Sequence, residues 1–216
     1  MDPATSLLAR RDHALLLDCG TEDHRHVPLP PGIAILVVDS GVRHSLEHSG
    51  YADRRAELER ALPALGSRRP AEVDPGEADG LTSAARVDAT SARRLRHVVA
   101  ENARVRQCVA ALEGDGPPDL ERMGALFRAG HDSLRDDFEV STPELDLLVD
   151  LAYEHGAAAA RMTGGGFGGS IVALVDAHRA AGLAGAVAAS YRERTGREAA
   201  ARVCRSVDGA LAGGAL

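Results

Sequence analysis

The stretch Met162-Thr163-Gly164-Gly165-Gly166-Phe167-Gly168-Gly169-Ser170 holds five glycines in six positions, between two segments that read as strands, Ala157–Met162 and Ser170–Val175. A backbone without Cβ atoms can approach a ligand closely and turn its N–H groups onto phosphate or sugar oxygens. The plainer alternative is a glycine-rich hairpin with no ligand. Gly164, Gly166 and Gly169 also satisfy G-x-G-x-x-G. The dinucleotide-binding version of that motif needs an acid roughly 20 residues on, beyond a second strand. The acids near that distance fall in an Ala-rich helical segment, so the dinucleotide reading is rejected.

The rest of the chain alternates strand and helix signals. Asp2-Pro3 reads as a helix start, with Asp as N-cap and Pro in the first turn, and a short helix to about Arg10. His13–Cys19 reads as a buried strand, Val27–Gly32 as a connector, and Ile33–Val38, wholly apolar and mostly β-branched, as a central strand ending at Asp39. Leu58, Ala61, Leu62 and Leu65 recur at helical spacing. Gly66–Gly80, with two prolines and several acids, reads as a mobile surface loop. A helix is expected over 91–113, with His97, Val98 and Val105 inward and Arg93, Arg94, Arg96 and Arg104 outward on a solvated face. Asp119 caps a helix through Phe127, and Ser141-Thr-Pro-Glu144 opens another. A helix over about 177–194 and a strand at Ala200–Cys204 close the chain, and the whole reads as an α+β layer architecture.

Composition removes several functions. Every one of the 25 basic residues is Arg, so Walker A and Schiff-base chemistry are excluded. A net charge of -7 and only six aromatic residues argue against nucleic acid as a partner. Cys19, Cys108 and Cys204 are odd in number and scattered, as expected of reduced thiols in a cytoplasmic protein. Ala14–Leu17 is too short for a signal-peptide core of roughly 7–15 apolar residues, and no window approaches a membrane span. His44-Ser-Leu-Glu47-His48 matches the H-x-x-E-H pattern of zinc peptidases. Ser49-Gly50 follows at once and no companion acid motif supplies a third ligand, so no metal ligand is assigned.

Arg161–Ser170 (R-M-T-G-G-G-F-G-G-S) resembles the third signature of the GHMP kinases in its galactokinase form. Met1-Asp2 with His13–Cys19, Asp39–Ser45 with Ser49–Arg55, Arg96–Arg104, and Ser133–Asp146 resemble further galactokinase blocks, in family order and over nearly the whole chain. The resemblance implies a GHMP kinase fold: a C-terminal α/β-layer domain over 46–216, with residues 1–45 as a remnant of the N-terminal domain. It also implies ATP- and Mg2+-dependent phosphorylation of the galactose C1 hydroxyl to galactose 1-phosphate. By the same resemblance Asp2 occupies the position of the catalytic acid, Tyr51 that of a sugar-holding tyrosine, and Gly164, Gly165, Gly166, Phe167, Gly168 and Gly169 the loop bordering substrate and triphosphate.

The departures from the family pattern are specific. Pro3 stands where the family has Gln, and neither an N-terminal G-E-H-T-D-Y signature nor a serine-rich phosphate loop (G-L-S-S-S-A) occurs; Leu81-Thr-Ser-Ala-Ala is too short and misplaced to serve. The expectation is therefore the C-terminal part of such a kinase, beginning at the active-site Asp, with Met1 an internal methionine of the parent. Such a chain would lack most ATP and Mg2+ ligands and be inactive alone. A non-catalytic sugar-binding or regulatory protein of the same fold is the alternative. Apolar strands cut off from their sheet would also leave open edges and favour self-association.

Overall fold

A computed structural model describes residues 2–43, 50–114 and 117–211, except for the side chain of Asp2. Helix α1 (Asp2–Leu8) leads into β1 (His13–Leu17) and β2 (His24–Pro28), which pair antiparallel as a separate two-stranded sheet with Ala14 opposite Val27. β2 thus begins ahead of the connector expected at Val27. The apolar run at Ile33 continues past Val38 as β3 (Ile33–Arg43). Helix α2 (Gly50–Ala61) is followed by three 3₁₀ turns at Leu62–Leu65, Pro70–Glu72 and Pro75–Glu77, then by α3 (Ala78–Ala84).

The segment 66–80 is not the mobile loop its composition suggests. Pro70 and Pro75 sit at the first position of their turns, where a fixed φ helps. Val73 and Ala78 are buried against Ala61, Leu65, Leu95 and Val99. Proline here starts local structure instead of ending it.

Helix α4 (Ala89–Glu113) begins at Asp88, whose carboxylate accepts from the Ser91 N–H at 3.0 Å. Its faces differ from the expected pattern: Arg94 is only 1% exposed, while Val105 is 41% exposed. The helix packs against both α2 and α5 (Leu120–Asp136), so a single-stripe reading of its surface fails. After α6 (Pro143–Glu154) come β4 (Ala159–Thr163), β5 (Gly168–Asp176), α7 (Ala180–Thr195) and β6 (Ala200–Cys204). Thr142 caps α6, accepting from the Leu145 N–H at 3.4 Å.

The main sheet is antiparallel throughout, in the order β4-β5-β3-β6. Register places Met162, Ile171 and Val38 side by side, and likewise Ala160, Ala173 and Leu36. That face packs on Leu145, Leu148, Val149 and Leu151 of α6 and on Leu183, Val187 and Tyr191 of α7. Each fully buried leucine there contributes about 2 kcal/mol. The opposite face sets Ala159 and Leu174 against Ala111 of α4 and Met123 of α5. Ile33–Val38, expected in the N-terminal remnant, is an inner strand of this sheet, hydrogen-bonded on both sides. Its edges are therefore not the open ones anticipated.

A glycine loop braced from three directions

The β4–β5 connection is where backbone freedom is used. Gly164, Gly166, Gly168 and Gly169 all have φ between +84° and +112°, and Phe167 adopts φ +59°. L-residues rarely adopt such values. Gly166 is further constrained, because a Cβ there would run into the Val140 carbonyl. At Gly168 a Cβ would lie 2.6 Å from the Val42 carbonyl. Gly164 and Gly169 face open space instead. The loop thus has a braced side and an accessible side.

Three contacts hold it. The Phe167 N–H donates to the Val140 carbonyl at 2.7 Å. The buried Ser40 hydroxyl donates to the Gly169 carbonyl at 2.8 Å, and the Tyr191 hydroxyl donates to the Ser40 carbonyl at 3.0 Å. The register of β3 against β5 shifts between Asp39 and Arg43, so that Arg43 comes opposite Gly168. Arg43 pairs with Asp39 across one turn of this irregular backbone, which holds the Asp39 carboxyl below the usual carboxylate range. The third contact is the Phe167 ring, which occupies the space beside Gly50: a Cβ on Gly50 would sit 2.5 Å from its edge.

That contact seats the described start of α2 on the loop and decides where Tyr51 lies. The Tyr51 ring comes 4.0 Å from the position a Cβ on Gly165 would take, and the residue is 54% exposed. Tyr51 and the glycine loop, far apart in sequence, therefore form one accessible wall. Asp2 lies in the first turn of α1, but its side chain is outside the described residues. The far end of α1 and the turn after it hydrogen-bond the segment 209–211, and the Leu8 carbonyl is 2.7 Å from His26 Nε2. His44–His48, with its zinc-like spacing, also lies outside the described residues.

Residues 99–193 match the family described as GHMP kinases C terminal. The chain is 36% identical over 214 residues to a galactokinase of Glaesserella parasuis and 39% identical over 216 residues to one of Mannheimia succiniciproducens. Each alignment covers 97% of this chain and 54% of the relative. A Lactococcus lactis galactokinase crystallised with galactose superposes with a TM-score of 0.83 at 32% identity, over 93% of this chain and 52% of that one. Residues 99–193 form a GHMP kinase C-terminal domain. The chain's α+β architecture is the GHMP kinase fold, as the resemblance implied. The chain spans about half the length of the curated relatives it matches.

Just ahead of the matched residues, the residue that sequence reasoning misplaced is Arg94. Its Nε donates to Glu57 Oε2 and its Nη2 to Glu139 Oε2, both at 2.7 Å, while Nη1 donates to the Asp137 carbonyl. Burial pushes the Glu57 carboxyl up, but the guanidiniums of Arg94 and Arg54 outweigh it and hold the group below its ordinary value. The Arg94 hydrogen bond likewise depresses Glu139. The cluster Arg93, Arg94 and Arg96 reads as a solvated face from the sequence alone. Only the position of Glu139, after a helix that itself runs on to Asp136, shows where the acid partner comes from.

Proposed function

We propose that this chain supplies the C-terminal, ligand-facing half of a galactokinase, which transfers the γ-phosphoryl group of ATP to the C1 hydroxyl of galactose. The observation that carries this reading is the single wall formed by Tyr51 and the exposed edge of the glycine loop, in a chain similar to galactokinases over nearly all its length. In the reaction the C1 oxygen bonds to the γ-phosphorus as the bond to the β-phosphate oxygen breaks, releasing ADP. Phosphoryl transfer is mostly positioning and charge stabilisation, so a carboxylate that orients the hydroxyl and accepts its proton suffices as base. Asp2 is assigned that role. The Tyr51 hydroxyl holds the sugar, and the open side of the Gly164–Gly169 loop faces the sugar and phosphate oxygens.

The loop suits a phosphate chain, because Gly164 and Gly169 leave their backbone open to a ligand. Among the described residues no three His, Cys, Asp or Glu side chains converge as a metal site, and no residue is assigned to Mg2+. The sequence also lacks the family's serine-rich phosphate loop. These 216 residues are accordingly assigned substrate contacts but no turnover on their own. On the same reading α1 and the β1–β2 hairpin belong with the other half of the enzyme, and β3 belongs with the C-terminal domain. The free Cys19, Cys108 and Cys204 and the use of ATP favour the cytoplasm. Among the described residues no helix is long and apolar enough to cross a membrane.

Titration of the 15N-labelled chain with galactose tests the assignment of the wall. Amide shifts should concentrate at Gly164–Gly169 and around Tyr51. Shifts confined to other surfaces, or none under saturating sugar, would refute it.

A further inference from the structure

We propose that Arg94 is a positioning residue that sets how the two parts of this wall, the Tyr51 helix and the glycine loop, sit against each other. The identity of that wall as ligand-facing rests on the function proposed above; the mechanical coupling rests on the geometry alone. A fully buried guanidinium is a costly way to fill space, since an apolar side chain of similar volume often serves stability as well or better. Arg94 is 1% exposed, and its three donor directions tie together two segments: Glu57 on α2, and the stretch just past α5 that holds the Asp137 carbonyl and the Glu139 carboxylate.

On one side the clamp reaches Tyr51. Glu57 shares α2 with it, and Arg54 lies between them, bonded to Glu57 at 2.6 Å and to the Glu139 carbonyl at 3.5 Å. On the other side it reaches the loop. Glu139 holds a left-handed backbone, φ +54°, with its carboxylate gripped by Arg93 and Arg94. The next residue, Val140, presents the carbonyl that receives the Phe167 N–H and against which Gly166 closes. Releasing Glu139 from its strained backbone would move that carbonyl, and with it the loop. Releasing Glu57 would free the helix that carries Tyr51. One cation therefore fixes both parts of the wall. Lysine cannot replace it, because a single ammonium on a flexible stem does not span three fixed acceptors in a fork.

The test uses the intact 15N-labelled chain, its Arg94→Lys variant and its Glu139→Gln variant. Two signals are read: hydrogen exchange at the Phe167 amide and the nuclear Overhauser contact between the Tyr51 ring and Gly165. In Arg94→Lys, Phe167 exchange should rise at least about tenfold while amides in the middle of β5, at Val172 and Ala173, stay unchanged. The Tyr51–Gly165 contact should weaken in parallel. Glu139→Gln keeps size and hydrogen-bonding capacity but loses charge, and should give the same pattern to a smaller degree. If Arg94→Lys does not fold, the milder variant makes the same discrimination. Unchanged Phe167 exchange in a folded variant, or equal acceleration of every amide, would overturn the proposal and leave Arg94 with a general stabilising role. A galactose titration of the wild type separates the two ideas: loop amides that ignore galactose sink the function above, whereas the exchange data alone decide the positioning role.

Discussion

Each loop glycine carries a different share of the constraint, and substitution should separate them. Gly166→Ala combines a left-handed backbone with a clash against the Val140 carbonyl. Its cost should be about 2–4 kcal/mol, read from the urea midpoint. Gly164→Ala meets only the backbone penalty in open space, and should cost about 1 kcal/mol. Equal effects would mean that Val140 does not brace the loop. A second expectation concerns His97, which is buried, stacks on Phe138 at 4.7 Å and has its Nδ1 in hydrogen-bond contact with the Ser133 hydroxyl at 3.0 Å. Burial lowers its pKa to about 4, against an ordinary value near 6.5. Between those values the unfolded chain binds a proton that the folded chain refuses, so stability falls as pH drops from about 6.5 to about 4. The full loss from this group is about 3 kcal/mol. An NMR titration should find His97 neutral at pH 5; a midpoint near 6.5 would contradict this. The glycine cluster was legible in the sequence because its composition has few structural uses. The clamp of Arg94 was not, because a buried arginine and an exposed one look alike until the partners arrive from elsewhere in the chain.

Elements whose signals are local were readable with little error. The cap at Asp119 stands where expected and that of α6 falls one residue later than the Ser141 capping box, at Thr142, because a cap needs only its own first turn: each side chain accepts from the N–H three residues on, at Arg122 and Leu145. Thr142→Ala should cost about 1 kcal/mol in denaturant stability, since it strips a cap from the helix that fills the core. No change in the midpoint would mean the cap is redundant. The failures concern elements with more than one neighbour. α4 touches α2, α3 and α5, so its buried surface wraps round more than one stripe. The segment 66–80 looked like a loop because prolines usually end structure, yet here they open 3₁₀ turns that carry Val73 and Ala78 into a core.

Over the whole molecule, burial and hydrogen bonding are uneven. β3 and β5 lie inside the main sheet, whereas β1 and β2 have only each other. Beneath that hairpin lies an apolar cavity of about 370 Å³, bordered by Leu16, Val27, Val109 and Phe127. Native-state hydrogen exchange should therefore show β1 and β2 amides opening well before those of β3 and β5. Equal protection would mean the hairpin is part of the same cooperative unit. The order of strands in the sheet was not readable in the sequence, because β3 joins partners more than a hundred residues later, and no local pattern encodes such a pairing. The family blocks were readable because they are short, collinear and rich in glycine, proline and charge. The proposal that this chain offers substrate contacts but needs the other half of a galactokinase for turnover has a direct test. ATP-dependent formation of galactose 1-phosphate should be measured for the 216-residue chain alone and for the same chain fused behind the N-terminal half of the Mannheimia succiniciproducens galactokinase. No product is expected from the chain alone and galactose 1-phosphate from the fusion, with Gly166→Ala lowering the yield; product from the chain alone, or a folded, ATP-binding fusion that leaves galactose untouched, would overturn the proposal.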